Sequence, residues 1–164
     1  MADRSFAPDV FHTPELAFGY ELRETSRLLL EALKRRIAPC DITLAQYFLM
    51  RQLWEAEGIS QSELSDRLQT TAAASVQIID SLEERGFIKR IRDDSDRRVT
   101  HVYLTAKGRT LRSKLLHFAY AVSKRALRNI APASVVELRR VLALIRDNLE
   151  GELAEQVIAR AAPF

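Results

Sequence analysis

The stretch that decides the fold is residues 82–109, LEERGFIKRIRDDSDRRVTHVYLTAKGR. Residues 87–92 and 99–104 within it contain Ile, Val and Tyr, which favour short strands. The segment between them, residues 93–98, reads DDSDRR and predicts a polar hairpin tip. We therefore expect a thin two-stranded ribbon with two arginines at its tip.

Two short helices are predicted immediately before the ribbon. Ser60 and Glu63 have the spacing of a capping box, in which each side chain bonds the backbone N–H of the other residue, and they open the first helix. A turn at residues 69–70 leads into the second, which is the fourth helix of the chain and covers residues 71–85. Two helices joined so tightly resemble a helix-turn-helix. Residues 39–110 are therefore expected to form a winged helix-turn-helix domain.

Two longer helices are predicted on the N-terminal side. The first covers residues 14–37 and is stopped by Pro39. Thr43 is a suitable N-cap for the second helix, which Gly58 ends. Residues 1–13 show no periodicity and predict an irregular arm.

Two further helices are predicted after the ribbon. One runs from Thr105 to Pro132, and a second capping box of Ser134 and Glu137 opens the last helix. Apolar residues recur along both at helical spacing. The small central module cannot cover these apolar stripes, so we expect a partner chain to cover them.

Composition and charge narrow the class of protein. The chain has 164 residues, 47% apolar and 29% charged, with five Gly and one Cys, which suits a mainly α (α+β) fold and excludes a disulfide framework. No apolar run approaches the roughly 18 residues of a membrane span, so we expect a cytoplasmic protein without a membrane partner. The net charge is +3, but residues 85–114 hold ten Lys and Arg against three Asp, a local +7. A basic stripe therefore surrounds the hairpin.

The fourth helix is predicted to have an apolar side and a small, neutral side. The helical wheel groups the first as Ala72, Val76, Ile79, Leu82 and Glu83, and the second as Thr70, Ala73, Ala74, Gln77 and Ser81. The second side suits a DNA major groove, because it brings no acid against phosphate and its amide can bond adenine. An ordinary solvated face is the alternative, and the hairpin that follows favours the groove. The predicted DNA contacts are Ser60, Thr70, Thr71, Ala73, Ala74, Ser75, Gln77 and Ser81.

The hairpin is predicted to supply a second set of DNA contacts. Arg97 and Arg98 at its tip can reach a minor groove, whose negative potential attracts guanidinium groups. Asp96 is expected to hold the Arg98 side chain in one orientation. The preceding helix-turn-helix speaks against the alternative, an ordinary charged turn. Three basic residues of the first strand suit phosphate contacts, which fix position without reading sequence: Lys89, Arg90 and Arg92.

This stretch resembles the wing signature of the MarR family of bacterial regulators, Asp-x-Arg followed by a Val-x-Leu-Thr strand end. The matching residues are Asp96, Arg98, Val102, Leu104 and Thr105. The resemblance continues in the order of elements from Pro14 to the C-terminus. It implies a triangular homodimer that binds a palindromic operator, and most members of the family are repressors. Residues 1–38 and 111–164 would interleave as its dimerisation domain. It further implies that Arg98 enters the minor groove and that the start of the fourth helix reads bases. A small ligand would change the spacing between the two DNA-binding domains of the dimer.

The chain departs from the family pattern at two places. Many members carry a basic residue where Gln77 stands, which leaves the base preference open. In the branch that senses organic hydroperoxides, a reactive Cys lies seven residues before a Ser-Arg pair, and here Gly19 stands seven residues before Ser26. Cys40 lies instead between the first two helices. We expect an inert thiol there, and a redox-responsive regulator is the alternative.

A pocket for a small effector is predicted from aromatic residues and one arginine of the first two helices. These candidates are Phe18, Tyr20, Arg23, Tyr47, Phe48 and Trp54. They would suit an aromatic carboxylate or its thioester. Plain core packing between the two helices is the alternative.

The sequence contains no motif for catalysis, a cofactor or a metal. His12, His101 and His117 lack the i, i+3 or i+4 partner of a metal site. A phosphate-binding loop, a dinucleotide turn and a nucleophile elbow are also absent. We therefore predict no enzyme activity and no cofactor. The alternative function is a winged-helix module that docks on protein, which would need an acidic or hydrophobic exposed face on the fourth helix.

Overall fold

The computed structural model describes residues 14–161, in two compact units whose boundary lies between Ser123 and Lys124. The helices are α1 (Pro14–Ile37), α2 (Leu44–Glu55), α3 (Gln61–Arg67), α4 (Ala72–Glu84), α5 (Ala106–Ala126) and α6 (Pro132–Ala161). The strands are β1 (Ile59–Ser60), β2 (Ile88–Arg92) and β3 (Thr100–Leu104), and a 3-10 turn occupies Ala38–Cys40. The first unit thus contains the predicted winged helix-turn-helix, with α3 and α4 followed by the ribbon β2–β3. The predicted arm, residues 1–13, lies outside the described residues.

Side-chain caps define where the helices of the first unit begin. The Thr43 hydroxyl accepts the Gln46 N–H at 3.2 Å, and the Gln46 side chain accepts the Thr43 N–H at 3.0 Å, so this cap is a full capping box. The Ser60 hydroxyl accepts the Glu63 N–H at 3.1 Å, as predicted. The reciprocal bond predicted for Glu63 is wrong, because its carboxylate pairs with Arg67 at 2.6 Å. Each such cap stabilises its helix by about 1 kcal/mol.

The three strands form one antiparallel sheet in the order β1-β3-β2. In the ribbon, Ile88 pairs with Leu104 and Arg92 pairs with Thr100. This confirms the predicted ribbon, and each strand is one residue shorter than the sequence suggests. β1 pairs with the other edge of β3. The sequence does not predict β1, because two residues are too few to show an alternating pattern.

The core of the first unit lies where α2, α4, α5 and the sheet meet. Its fully buried side chains include Tyr47, Leu49, Met50, Leu53, Ile79, Leu82, Ile88, Val102, Leu104 and Leu115. The C-terminal end of α1 adds Leu33 and Ile37 to the same cluster. Burial of each large apolar side chain stabilises the fold by about 1.5–3 kcal/mol. This core therefore holds α4 and the ribbon in fixed positions.

The start of α5 packs directly on the backbone that precedes β2. The Thr105 N–H donates to the Phe87 carbonyl at 3.0 Å, and the Thr105 hydroxyl donates to the Gly86 carbonyl at 2.7 Å. Gly108 lies so close that a Cβ at this position would stand 2.1 Å from the Phe87 carbonyl oxygen. The contact between α5 and this backbone therefore requires glycine.

The last two helices differ from the prediction at their ends. α5 ends at Ala126, before the predicted limit at Pro132, and Asn129 has a left-handed φ of 67°. Asparagine tolerates this conformation better than most residues, so the helix stops although the apolar spacing continues. α6 begins at Pro132, a favoured first helical position. The predicted capping box of Ser134 and Glu137 is therefore wrong, because both residues lie inside the helix.

Large apolar side chains are exposed along two helices. In the first unit, α1 exposes Phe18, Tyr20, Leu22, Leu28 and Leu29. In the second unit, α6 exposes Val136, Leu138, Val141, Leu142, Leu144, Leu149 and Leu153. Val136 is 69% exposed and Leu153 is 62% exposed. None of the described helices is long and apolar enough to cross a bilayer.

Candidate nucleic-acid interface

The outer face of α4 consists of small and neutral side chains. The exposed residues at its N-terminal end are Thr71, Ala72, Ala73, Val76 and Gln77. Ile79 and Leu82 on the opposite face are fully buried, as predicted. The predicted wheel is wrong for Ala72 and Val76, which it placed on the apolar side, and Val76 is 39% exposed. A run of alanines marks the phase of a helix poorly, which explains the error.

Two serines that were expected to face DNA hold helices together instead. Ser75 is 1% exposed, and its hydroxyl lies 2.5 Å from the hydroxyl of Ser65 in α3. The Ser81 hydroxyl accepts a hydrogen bond from Gln46 Nε2 of α2 at 3.0 Å. A buried polar group left without such a partner costs about 1–3 kcal/mol. The prediction that Ser75 contacts DNA is therefore wrong, and the hydroxyl of Ser81 is directed to α2.

The other predicted helix-turn-helix contacts surround the turn between α3 and α4. Gln69 has a left-handed φ of 49°, which makes this turn tight. The Thr71 hydroxyl caps α4 by accepting the Ala74 N–H at 3.2 Å, and the Ser60 hydroxyl caps α3 as described above. Thr70 and Ala74 are half-buried. The start of α4 thus lies at the surface, beside a turn of fixed shape.

The wing tip, residues 93–98, is held by its own aspartates. Asp93 Oδ1 accepts the backbone N–H of Ser95 at 2.8 Å and that of Asp96 at 3.0 Å. Asp96 Oδ1 accepts the backbone N–H of Arg98 at 3.0 Å. The predicted contact of Asp96 with the Arg98 side chain is wrong, since the carboxylate fixes the backbone. Arg97 and Arg98 are exposed, so a tied loop presents two guanidinium groups to solvent.

His101 joins the wing tip to the loop before β1, a role that the sequence does not reveal. Its Nδ1 lies 2.8 Å from the Gly58 carbonyl oxygen, and its Nε2 lies 2.9 Å from Asp93 Oδ2. A carbonyl and a carboxylate only accept, so both bonds form together only in the imidazolium form. The Asp93 hydrogen bond, followed by the Gly58 carbonyl, raises the pKa of His101. The Ser95 hydroxyl and the Asp96 N–H, with His101, hold the pKa of Asp93 well below its usual range.

We expect the His101 contact to weaken at alkaline pH. Because the folded pKa of His101 lies above its unfolded value of about 6.5, its contribution to stability is full below that value and is lost as the pH rises through the folded pKa. The contribution of Asp93 is present above about pH 4 and is lost only in stronger acid. The Tm of the wild type minus that of His101→Gln should therefore shrink as the pH rises through the alkaline range above about 6.5. A difference that stays constant across this range would contradict a charged His101.

The three basic residues of β2 have different environments. Lys89 and Arg92 are exposed, as phosphate contacts require. Arg90 faces α4 instead, with Nε 2.8 Å from Glu83 Oε2 and Nη1 2.7 Å from Asp80 Oδ1. The Arg90 hydrogen bonds lower the pKa of Glu83, and Glu83 in turn raises the pKa of Arg90. The expectation of a phosphate contact therefore needs correction for Arg90, whose guanidinium is occupied by two carboxylates of its own chain.

The residues predicted for an aromatic effector divide into a buried and an accessible group. Tyr47 and Trp54 are buried, and their rings pack edge to face with centroids 5.8 Å apart. Core packing, the alternative reading, is therefore correct for these two. Phe18 and Tyr20 are exposed on α1, and Phe48 is half-buried beside a cavity of about 320 Å³. Tyr47 and Trp54 belong to the core cluster, so the six predicted residues do not share one accessible surface in this structure.

The structure thus places the small, neutral outer face of α4 beside a two-stranded ribbon whose tip carries two arginines. This arrangement is that of a winged helix-turn-helix DNA-binding protein. Residues 42–100 match the sequence model of the MarR family. TtmR, a transcriptional regulator of Methylorubrum extorquens (strain PA1), is 34% identical over 84 residues, which make up 51% of this chain and only 43% of TtmR. The transcriptional repressor Rv2887 of Mycobacterium tuberculosis (strain ATCC 25618 / H37Rv) is 27% identical over 124 residues, or 76% of this chain and 89% of Rv2887.

The fold comparison agrees with the sequence comparison. The crystal structure of CouR from Rhodococcus jostii RHA1, bound to p-coumaroyl-CoA, has a TM-score of 0.71 and 27% identity, covering 82% of this chain and 94% of CouR. The sequence and fold comparisons together support a transcriptional regulator of the MarR type, with the family match itself confined to residues 42–100. Its winged helix-turn-helix is of the DNA-binding type, and the curated relatives that it matches are transcriptional regulators.

Proposed function

We propose that the protein acts as a homodimer that represses transcription by binding a palindromic operator. In this proposal residues 39–110 form the DNA-binding lobe, and residues 1–38 and 111–164 form the dimerisation domain. The start of α4 enters the major groove, and Arg98 enters the adjacent minor groove. The observation that carries the proposal is the pairing of a neutral α4 face with two exposed arginines on a tied wing tip.

The exposed end of α4 suits base reading. Ala73 allows the helix backbone to approach the floor of the groove, and the Gln77 amide can donate to and accept from an adenine edge. Val76 offers a methyl surface for a thymine methyl group. Asp80, the nearest acid on the helix, is paired with Arg90 at 2.7 Å, so it does not leave an unpaired charge against phosphate. These features also speak against a protein-docking module, because the face is neither acidic nor broadly apolar.

The basic stripe supplies the sequence-independent part of DNA binding. Lys89 and Arg92 are exposed on β2, next to the wing tip. Each cation that contacts a phosphate releases counterions, so the logarithm of the binding constant falls with the logarithm of salt concentration by about 0.9 per contact. We expect these two residues to contribute to this slope and not to sequence preference.

The experiment that tests the proposed function is a gel shift with the DNA that adjoins the protein's own gene. A shift that survives excess unrelated duplex supports sequence-specific binding. A reporter driven by the same DNA should lose expression when the protein is present, as expected of a repressor. Absence of a shift, together with capture of a protein partner by the α4 face, would favour the docking module instead.

We expect the protein to sediment as a dimer, with about twice the 18.7 kDa mass of one chain. The apolar residues exposed on α1 and α6 form larger faces than a monomer usually leaves in water. Changing both Leu149 and Leu153 to Lys should shift the equilibrium toward monomer. Glu150→Lys is the matched control on the same helix, and it should leave the dimer intact. A wild-type chain that remains monomeric at micromolar concentration would contradict the proposal.

We expect an aromatic carboxylic acid or its thioester to bind and to change operator affinity. Phe18, Tyr20 and Phe48 offer accessible rings, and the Arg23 guanidinium, 6.0 Å from the centre of the Tyr20 ring, offers a charge for a carboxylate. The bound ligand of CouR is a thioester of this kind. A ligand present at 100 times its Kd stabilises the folded state by about 2.7 kcal/mol.

This effector prediction is tested by thermal shift with benzoate, salicylate, p-coumarate and p-coumaroyl-CoA. A rise in Tm that is lost in Arg23→Ala supports the site. Lys34→Ala, a cation further along α1, is the control. No stabilisation by any of the four compounds would indicate a constitutive DNA binder.

A redox-responsive regulator is the second alternative. Cys40 is half-buried and packs against the core cluster of the first unit. An inert thiol predicts that cumene hydroperoxide leaves operator affinity unchanged and that Cys40→Ser behaves as the wild type. Loss of DNA binding on oxidation, absent in Cys40→Ser, would favour redox control.

A further inference from the structure

Arg90 connects the wing, which consists of β2, β3 and the tip between them, to α4. It does so through both its side chain and its backbone N–H. Its Nε donates to Glu83 Oε2 at 2.8 Å, its Nη2 donates to the same oxygen, and its Nη1 lies 2.7 Å from Asp80 Oδ1. Its backbone N–H donates to Glu83 Oε1 at 2.9 Å. Glu83 therefore holds the strand itself as well as the side chain. Both acids stand on α4, one helical turn apart.

The chemistry of this contact depends on the shape of the guanidinium group. A planar fork can bond two carboxylates in fixed directions, whereas an ammonium group is a point charge that holds neither direction. Arg90 pairs with Val102 of β3 in the sheet, so its position is transmitted to the second strand of the wing. Asp80 lies three residues after Gln77, on the same side of the helix. The contact thus ties the wing close to the base-reading end of α4.

The contact is poorly placed to serve folding alone. All three side chains are partly exposed, at 31% for Arg90, 32% for Glu83 and 45% for Asp80. Ion pairs at such exposure contribute little to the free energy of unfolding, because solvent screens them. The wing and α4 must nevertheless meet two grooves of one duplex at the same time. A fixed spacing between them removes a conformational cost from specific binding.

We infer that Arg90 is a positioning residue, which sets the wing relative to α4 so that both grooves are read together. The inference rests on the proposed docking of α4 and the wing on DNA. Arg90 therefore acts on the preference for operator over other DNA. An arginine that contacts phosphate would act on both kinds of DNA equally.

The test uses the full chain and two duplexes of equal length. One is the sequence that the wild type selects from a random library, and the other is a scrambled version of it. The main variant is Arg90→Lys, which keeps the positive charge but loses the planar guanidinium group. Arg51→Lys on α2 is the matched control, because this exposed arginine is also paired with a carboxylate of its own chain, Glu55 at 3.6 Å, and no DNA contact is assigned to it. Binding is measured over a range of salt concentrations, below the melting temperature of each variant.

We expect Arg90→Lys to lower the ratio of selected to scrambled affinity by about tenfold, the cost of one poorly read base pair. The salt slope and the affinity for scrambled DNA should stay unchanged. Arg51→Lys should keep the wild-type ratio. Glu83→Gln should lower the ratio in the same direction, and adding it to Arg90→Lys should cause little further loss, because both changes break one contact.

Three results would overturn the inference. Wild-type behaviour of Arg90→Lys, combined with a lower salt slope in Arg90→Gln, would make Arg90 a phosphate contact. Tighter binding of both duplexes by Glu83→Gln would mean that Glu83 withholds Arg90 from phosphate. Wild-type ratios in all of these variants would reduce the contact to a structural one. A wild type that selects no sequence would overturn the proposed function, and with it this inference, whereas the first three results overturn the inference alone.

Discussion

Arg98→Ala is expected to weaken binding to the selected operator by about 1–3 kcal/mol, that is about 5- to 150-fold in Kd. The Arg98 side chain is exposed, whereas its backbone N–H is bonded to Asp96 at 3.0 Å. Truncation therefore removes the guanidinium and keeps the bond that shapes the wing tip. The Tm should stay within about 1 °C of the wild type, because no buried contact is lost.

The physical reason lies in the minor groove. A narrow groove concentrates negative potential, and a guanidinium inserted into it gains more than one that lies against an open phosphate. Arg139→Ala, which removes the same charge from α6, is the control for net charge and should change affinity less than about twofold. Asp96→Ala should also lower affinity, because it releases the backbone that aims Arg98. Operator affinity unchanged in Arg98→Ala would count decisively against the proposed docking of the wing.

Gly108→Ala is expected to reduce the free energy of unfolding by about 3 kcal/mol, at the upper end of overpacking costs. The added Cβ would stand 2.1 Å from the Phe87 carbonyl oxygen and 3.1 Å from its carbonyl carbon. Both are backbone atoms, so no side-chain rotation relieves the overlap. The same oxygen also accepts the Thr105 N–H at 3.0 Å, so moving it away breaks the bond that starts α5.

Gly19→Ala is the matched control for this prediction. A Cβ at Gly19 meets no atom within 4 Å, and alanine is the better helix former by about 0.5–1 kcal/mol. Urea unfolding should therefore move in opposite directions for the two variants. Equal stability of Gly108→Ala and the wild type would mean that α5 can lift from the strand, and the rigid placement of the ribbon would then be in doubt.

The elements that the sequence predicts well carry their own local signals. Pro14 and Pro39 bracket α1, and the capping residue Thr43 marks the start of α2. The ribbon was recognisable because strand-forming residues flank a polar tip of six residues. In each case the decisive interactions lie within a few residues of one another, where spacing in the sequence is also spacing in the structure.

The misses depend on contacts between distant parts of the chain. Ser75 faces Ser65, ten residues earlier, and nothing in an alanine-rich helix start indicates which side is buried. Arg90 resembles any other cation in a basic stripe until the fold brings α4 beside β2. His101 bonds Gly58, 43 residues earlier. Charge and spacing indicate which residues can pair, but only the tertiary arrangement determines which of them do.

The buried hydroxyl pair of Ser65 and Ser75 has a consequence for how this protein can evolve. The hydrogen bond between these two hydroxyls joins α3 to α4 inside the motif, while the side chains at positions 73, 76 and 77 take no part in it. The residues proposed to contact bases are thus separate from the contact that holds the two helices together. Substitutions at those three outward positions should therefore change which operator is preferred without disturbing the packing of α3 against α4.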